Sequence, residues 1–288
     1  MAEQRLTDVA YIRDLLSRHG FSFAKKLGQN FLINPSVCPR MAEACGAAPG
    51  TGVLEIGPGI GVLTRELARR AGRVVAIELD DRLPPVLRET LAGQDNVTVV
   101  QGDCLKLDLA ALIRERFCAM PVSVCANLPY YITSPIVMRL LESRLPVTNI
   151  TVMVQREAAE RLCAAPGTRA AGAVTLAVNY YAEAEVLFAV SRGSFLPAPN
   201  VDSAVIRLHV RQQPPVDVRD ERVLFSLIRA GFGQRRKTLQ NALCSAGYGK
   251  DEIAAALAAA DIRQTARAEE LTLASFARLA DALPVKEG

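Results

Sequence analysis

Gly52-Val53-Leu54-Glu55-Ile56-Gly57-Pro58-Gly59-Ile60-Gly61 decides how the rest of the chain is read. Gly52 to Gly57 is a short, mostly apolar run of strand character, Pro58 to Gly61 is a glycine-rich loop, and Val62 to Arg70 has helical spacing. Strand, loop and helix in that order open an α/β fold. Glycines at 57, 59 and 61 let the backbone turn tightly and approach a ligand that a Cβ would repel. A dinucleotide fingerprint needs its third glycine one place later, where Val62 stands, so a pyrophosphate site is disfavoured. The next strand, Arg73 to Leu79, carries Glu78 near its end, about 20 residues after the first glycine, where a carboxylate can accept both ribose hydroxyls. The loop alone could serve packing, but loop and acid together point to an adenosine cofactor.

Working toward the C-terminus, Val97 to Gln101 reads as a third strand followed by Gly102-Asp103. Asp103 is a candidate acceptor for an adenine amino group, or else the cap of the next turn. Val122 to Cys125 is an apolar fourth strand that runs into Ala126-Asn127-Leu128-Pro129-Tyr130-Tyr131. Pro129 fixes its own φ and keeps Leu128 out of the helical region, so the Asn127 amide and the Leu128 carbonyl can face one small volume beside the flat face of Tyr130. Two acceptors and an aromatic platform suit a planar base bearing an exocyclic amine, such as an adenine taken out of its stack. Alone, Asn-Leu-Pro-Tyr would also serve as an ordinary turn. A helix at Pro135 to Glu142 and a fifth strand at Ile150 to Gln155 continue the alternation, which predicts a mostly parallel, doubly wound sheet with Glu78, Asp103 and Asn127 along one edge. After a helical stretch around Val174 to Tyr181, the β-rich runs Glu185 to Val190 and Ala204 to Val210 are expected to close the sheet as an antiparallel pair. Phe195 between them could reach back over the site, with a place in the core as the competing reading.

Thr7 to Arg18 puts Val9, Ile12, Leu15 and Leu16 on one helical face and reads as a docking arm. In Phe23 to Leu32, Lys25 and Lys26 could meet phosphates while Asn30 and the Leu32 backbone meet a small polar ligand; a solvated loop is the alternative. Pro214-Pro215 marks a boundary near Gln212 to Val218, giving a domain over 1–211 and a small all-α domain over 219–288. Arg222 to Gly231, Lys237 to Cys244, Asp251 to Ala259 and Leu273 to Leu283 have helical spacing. Arg235, Arg236 and Lys237 form the densest basic cluster in the chain and suit phosphate contacts.

Composition narrows the classes. Half of the 288 residues are apolar, enough for a sizeable core. The net charge of +4 is too small for an architectural nucleic-acid binder, so any basic surface must be local. Seven cysteines without C-x-x-C pairing suggest reduced thiols and a cytoplasmic address. With only His19 and His209, neither a His-rich metal site nor a Ser-His-Asp triad has its raw material, and no metal is expected. No signal core or membrane span is expected either.

Gln29-Asn30-Phe31-Leu32, Glu55 to Gly61, Glu78, Gly102-Asp103, Asn127-Leu128-Pro129-Tyr130, Phe195 to Val201 and Gln234 to Leu239 together resemble the rRNA adenine dimethyltransferase family. The similarity, in family order from Gln29 to Leu239, is to its bacterial small-subunit members. It implies a Rossmann-like class I methyltransferase that dimethylates the N6 amines of two adjacent adenines in a hairpin near the 3′ end of 16S rRNA, with a role in small-subunit biogenesis. By position, Asn30, Leu32, Gly57, Glu78, Asp103 and Asn127, with Gly59 in the glycine loop, would hold S-adenosylmethionine. Asn127, Leu128, Tyr130 and Phe195 would meet the target base, Pro129 fixing the turn. The partner implied is 16S rRNA within a small-subunit particle, and a monomer is expected. Arg169-Ala170-Ala171-Gly172 departs from the family's aromatic-glycine pair. Two other functions fit the same motifs: a ribosome-assembly or transcription factor that mainly binds RNA, and a large-subunit rRNA methyltransferase of the macrolide-resistance type.

Overall fold

The computed structural model describes residues 6–21 and 28–284. The strands among them are β1 (Phe31–Leu32), β2 (Gly52–Ile56), β3 (Arg73–Glu78), β4 (Val97–Gln101), β5 (Val122–Asn127), β6 (Val147–Gln155), β7 (Ala182–Val190), β8 (Phe195–Leu196) and β9 (Ser203–Val210). Seven of them form one sheet in the order β4-β3-β2-β5-β6-β9-β7, and β1 pairs with β8 in a separate ribbon. Strands β2 to β6 run parallel, whereas β9 joins β6 antiparallel. The doubly wound expectation holds, with β9 placed between β6 and β7.

Every residue of β2 is buried, as are Val122 to Ala126 of β5, the pattern of central parallel strands covered on both faces. Packing there leaves no slack: a Cβ on Gly52 would lie 2.2 Å from the Phe117 ring. The chain moves outward from β2 through β3 to β4, then returns past β2 to form β5 on its other side. Connections therefore leave β2 and β5 in opposite directions, and the crevice between their carboxyl ends is where such sheets bind ligands. Register aligns the strand ends, since Ile56 lies opposite Ile77, Glu78 opposite Gln101, and Asn127 opposite Met153.

The N-terminal segment docks as its apolar face predicts. In the helix Val9–Arg18, capped by the Asp8 carboxylate, Ile12, Leu15 and Leu16 are buried in one cluster with Leu83, Val86 and Leu87 of the helix Leu83–Thr90. Arg18 forks onto both Glu89 oxygens at 2.9 and 2.8 Å. That pair is exposed and adds little to the apolar seam.

The chain divides into two compact units, one of residues 1–159 and 184–210, the other of residues 160–183 and 211–288. The second unit is helical as expected, but it takes in residues 160–183, which the sequence reading assigns to the first domain. The reason is packing: Leu176 and Tyr180 of the helix Ala173–Tyr181 are buried with Leu224, Leu227 and Ile228 of the helix Glu221–Gly233. The Tyr180 hydroxyl also donates to Glu221 at 2.7 Å. Helices Leu239–Ser245, Lys250–Ala259 and Leu273–Ala282 complete this unit, with Thr238 and Thr272 capping the first and last through their hydroxyls. No helix among the described residues is long and apolar enough to cross a membrane.

Candidate active site

A cleft of about 1080 Å³, counted out to its mouth, lies at the carboxyl ends of β2, β3 and β5. Asn30, Leu32, Gly57, Gly59, Glu78, Asp103, Asn127, Leu128, Pro129 and Tyr130 all line it, so most residues singled out from the sequence meet in one place.

The glycine loop has the backbone that only glycine adopts easily: φ is +71° at Gly57, +60° at Gly59 and +88° at Gly61. At Gly59 a Cβ would also press to 3.1 Å from the Phe31 ring. Glu78 ties this loop to β3. Its Oε2 accepts the Gly59 N–H at 3.2 Å and its Oε1 the Asp80 N–H at 2.7 Å, leaving further lone pairs for a ligand's hydroxyls. Burial pushes the Glu78 carboxyl up to about 6, against the pull of those two N–H groups. Asp80 is itself held below the usual carboxylate range by Arg82, which pairs with it at 2.6 Å, and it accepts from Gln29 Nε2 at 2.7 Å. Asp103 caps its turn, Oδ1 accepting the Leu105 N–H at 3.0 Å, and the residue also lines the cleft.

At the end of β5, Asn127 Nδ2 donates to the Asn30 carbonyl at 3.2 Å. This bond fixes the amide's orientation and leaves Oδ1 as its acceptor. Leu128 is anchored by its N–H to the Met153 carbonyl at 3.2 Å, and its side chain is buried. Pro129 sits at φ −60° and ψ 131°, and its carbonyl takes the Ile132 N–H and the Thr133 hydroxyl, so the turn is braced from its far side. The Tyr130 hydroxyl lies 2.5 Å from the buried Ser203 hydroxyl at the start of β9, which steadies the ring; burial raises its pKa.

Phe195 corrects the expectation that it reaches over the site. Its side chain is 2% exposed and packs with Leu32, Val53, Met153 and Val205 beneath the cleft. The ribbon explains this, because Leu32 and Phe195 are directly opposite across β1 and β8 and so project to the same face. Phe195 therefore backs Leu32. Arg235 is a second correction, since one of its nitrogens donates to the Arg169 carbonyl at 2.8 Å and the Ala171 carbonyl at 3.1 Å and pairs with Glu269 at 3.1 Å. The guanidinium braces the 169–172 loop within its own unit. Arg236 and Lys237 are exposed, with Lys237 Nζ 3.2 Å from the Ser245 hydroxyl. Lys25 and Lys26 lie outside the described residues. Arg235→Ala is thus expected to lower thermal stability, whereas neutralising Arg236 and Lys237 together should leave it unchanged and reduce the salt slope of RNA binding by about 1 for each phosphate no longer neutralised. Thermal melts and salt-titrated filter binding separate the two.

Gln29, Glu55 and Tyr131 stand in the stretches quoted from the sequence, but none of them carries a role of its own in that reading. Tyr131 lines the cleft yet is 57% exposed, and nothing but its neighbour Tyr130 marked it. Glu55 did leave a signal, an acid in the middle of an apolar strand. It is 1% exposed, and burial together with the nearby Glu78 charge pushes its carboxyl up to about 8. Neither histidine lines the cleft; His19 lies against Glu89 and His209 against Glu185. Among the described residues no group of three or more His, Cys, Asp and Glu is placed to hold a metal ion.

Comparison with known proteins agrees on one family. Residues 20–284 match the family model described as ribosomal RNA adenine dimethylase. Ribosomal RNA small subunit methyltransferase A of Geobacillus thermodenitrificans is 51% identical over 276 residues, 94% of each chain. Among solved structures, a dimethyladenosine transferase from Plasmodium falciparum superposes with a TM-score of 0.72 at 26% identity, covering 86% of this chain and 95% of that one. The 23S rRNA methyltransferase ErmE gives 0.67 at 32% identity, covering 88% and 99%.

Proposed function

The chain belongs to the ribosomal RNA adenine dimethylase family, and from that premise we propose that it dimethylates the N6 amines of two adjacent adenines in a hairpin near the 3′ end of 16S rRNA. The donor is S-adenosylmethionine, the substrate is RNA within a small-subunit particle, and the setting is cytoplasmic small-subunit biogenesis by a monomer. Identity of 51% to a small-subunit enzyme against 32% to a 23S enzyme favours the small-subunit target over the large. The observation that carries the enzymatic reading over a pure binding factor is the Asn127–Asn30 bond, which leaves the Asn127 carbonyl oxygen as an acceptor in a cleft that also holds the cofactor residues.

The residues fit the donor: Glu78 would take the ribose hydroxyls, Asp103 the adenine amine, and the Gly57–Gly61 backbone and Asn30 the methionine end. S-adenosylmethionine supplies a methyl already activated on a sulfonium. The protein's task is alignment, worth about 7 to 11 kcal/mol in well-oriented cases. Asn127 Oδ1 and the Leu128 carbonyl would accept the two N–H groups of the adenine amine and turn its lone pair out of the ring. Tyr130 would stack on the extruded base. The methylated nitrogen is acidic enough to lose its proton to water, which suits a site without histidine. Arg236 and Lys237 of the helical unit would contact RNA phosphates.

Tyr130 offers a graded check. Tyr130→Phe keeps the ring and drops only the Ser203 bond, so single-turnover methyl transfer should fall by less than about tenfold; Tyr130→Ala also removes stacking worth about 1 to 3 kcal/mol. Equal rates for both variants would remove the ring from the base site. The reading as a whole is tested by mass mapping of dimethyladenosine in small-subunit particles from cells with and without this protein, and unchanged particles would reject it.

A further inference from the structure

The lining of the cleft is one-sided in charge. Its titratable side chains are Glu55, Glu78, Asp103, Cys104, Tyr130 and Tyr131, and it contains no Lys, Arg or His among the described residues. Of the three acids, Glu55 stands apart: it is 1% exposed, it lines the cleft from the central strand β2, and its Oε2 is buried without a hydrogen-bond partner. A carboxylate in that place, with no counter-charge, is strongly disfavoured. The titratable groups that face it are Glu78 from β3, Cys38 and Cys45 from the helix Val37–Ala44 and its C-cap, and Cys125 from β5, none of them a cation. Among the described residues, no cation lines the cleft beside Glu55, which leaves a ligand as the source of positive charge.

We propose that Glu55 reads the charge of the ligand, releasing its proton to solvent when a sulfonium donor enters and thereby favouring that donor over its thioether product, which carries one positive charge less. This rests on the cofactor reading given above. With its carboxyl pushed up to about 8, Glu55 is protonated at pH 7 until a cation arrives, whereas Glu78, at about 6, is already ionised there. When the methyl leaves, sulfur loses its charge and Glu55 takes a proton back from solvent, so the proton count closes over the cycle and the product is no longer held by an ion pair.

Calorimetry of S-adenosylmethionine and S-adenosylhomocysteine at pH 7, each in two buffers of different ionisation enthalpy, counts the protons. For the wild-type protein, the sulfonium should release close to one proton, about nine tenths for a group titrating near 8, and the thioether less than about a third. Glu55→Gln keeps the shape and hydrogen-bonding character of the neutral acid; it should release almost none, and its preference for the sulfonium should fall by at least about tenfold, equivalent to 1.4 kcal/mol. Equal proton counts for the two ligands on the wild-type protein overturn the inference without needing any variant, and so does a Glu55→Gln protein with undiminished preference. Failure of the wild-type protein to bind either ligand overturns it together with the cofactor reading, which distinguishes the two failures.

Discussion

Asn127→Ala is expected to lower single-turnover methyl transfer by about 10² to 10³-fold, the scale seen when one fixed group aimed at a transition state is removed, while affinity for small-subunit particles changes by less than about threefold. The asymmetry follows from where the energy comes from. On the proposed mechanism, phosphate contacts elsewhere would supply most of the RNA affinity, whereas the Asn127 oxygen would act on the amine as its geometry changes. The variant also frees the Asn30 carbonyl from its 3.2 Å bond, so cofactor affinity should be measured beside the rate. An Asn127→Ala protein that is folded, binds cofactor and transfers methyl at the wild-type rate would sink the mechanism; so would a wild-type protein that transfers none.

Glu78→Ala should weaken S-adenosylmethionine binding by about 1.5 to 3 kcal/mol, the range for hydrogen bonds to a charged acceptor. The structure gives a second reason for a large effect, since the same carboxylate holds the Gly59 and Asp80 N–H groups and so sets the loop against β3. Glu78→Gln separates these contributions, because one amide oxygen can still serve one N–H. Calorimetry at pH 8 should rank wild type above Gln and Gln above Ala. Unchanged affinity in a folded Glu78→Ala protein would remove this residue from the site.

The parts of the fold legible in the sequence were those set by local pattern. The strand, glycine loop and Glu78 spacing held, as did the turn after β5, because each depends on a few adjacent residues whose backbone preferences are strong: positive φ at three glycines, fixed φ at Pro129. What escaped was set by pairing across long stretches of chain. Phe195 could be sent to the core or to the cleft until its partner strand was known, and that partner is β1, a two-residue strand with no periodicity of its own. Arg235 read as a phosphate ligand because a cluster of cations says nothing about nearby carbonyls; the Arg169 and Ala171 oxygens that claim it come from a loop far away in sequence. Residues 160–183 looked like part of the first domain for a similar reason, their buried face being complementary to helices that follow the expected boundary.

The ribbon of β1 and β8 also fixes when the site can exist. Leu32 is held from behind by Phe195, and Tyr130 is steadied by Ser203 at the start of β9. A chain still being synthesised can form β2, β3 and the glycine loop early, since those contacts are close in sequence, but the two bindings that finish the cleft wait for residues 195 to 203 to emerge from the ribosome. The nascent protein thus has the five parallel strands of its sheet before it has its finished pocket, and a bound ligand can stabilise only a nearly complete unit.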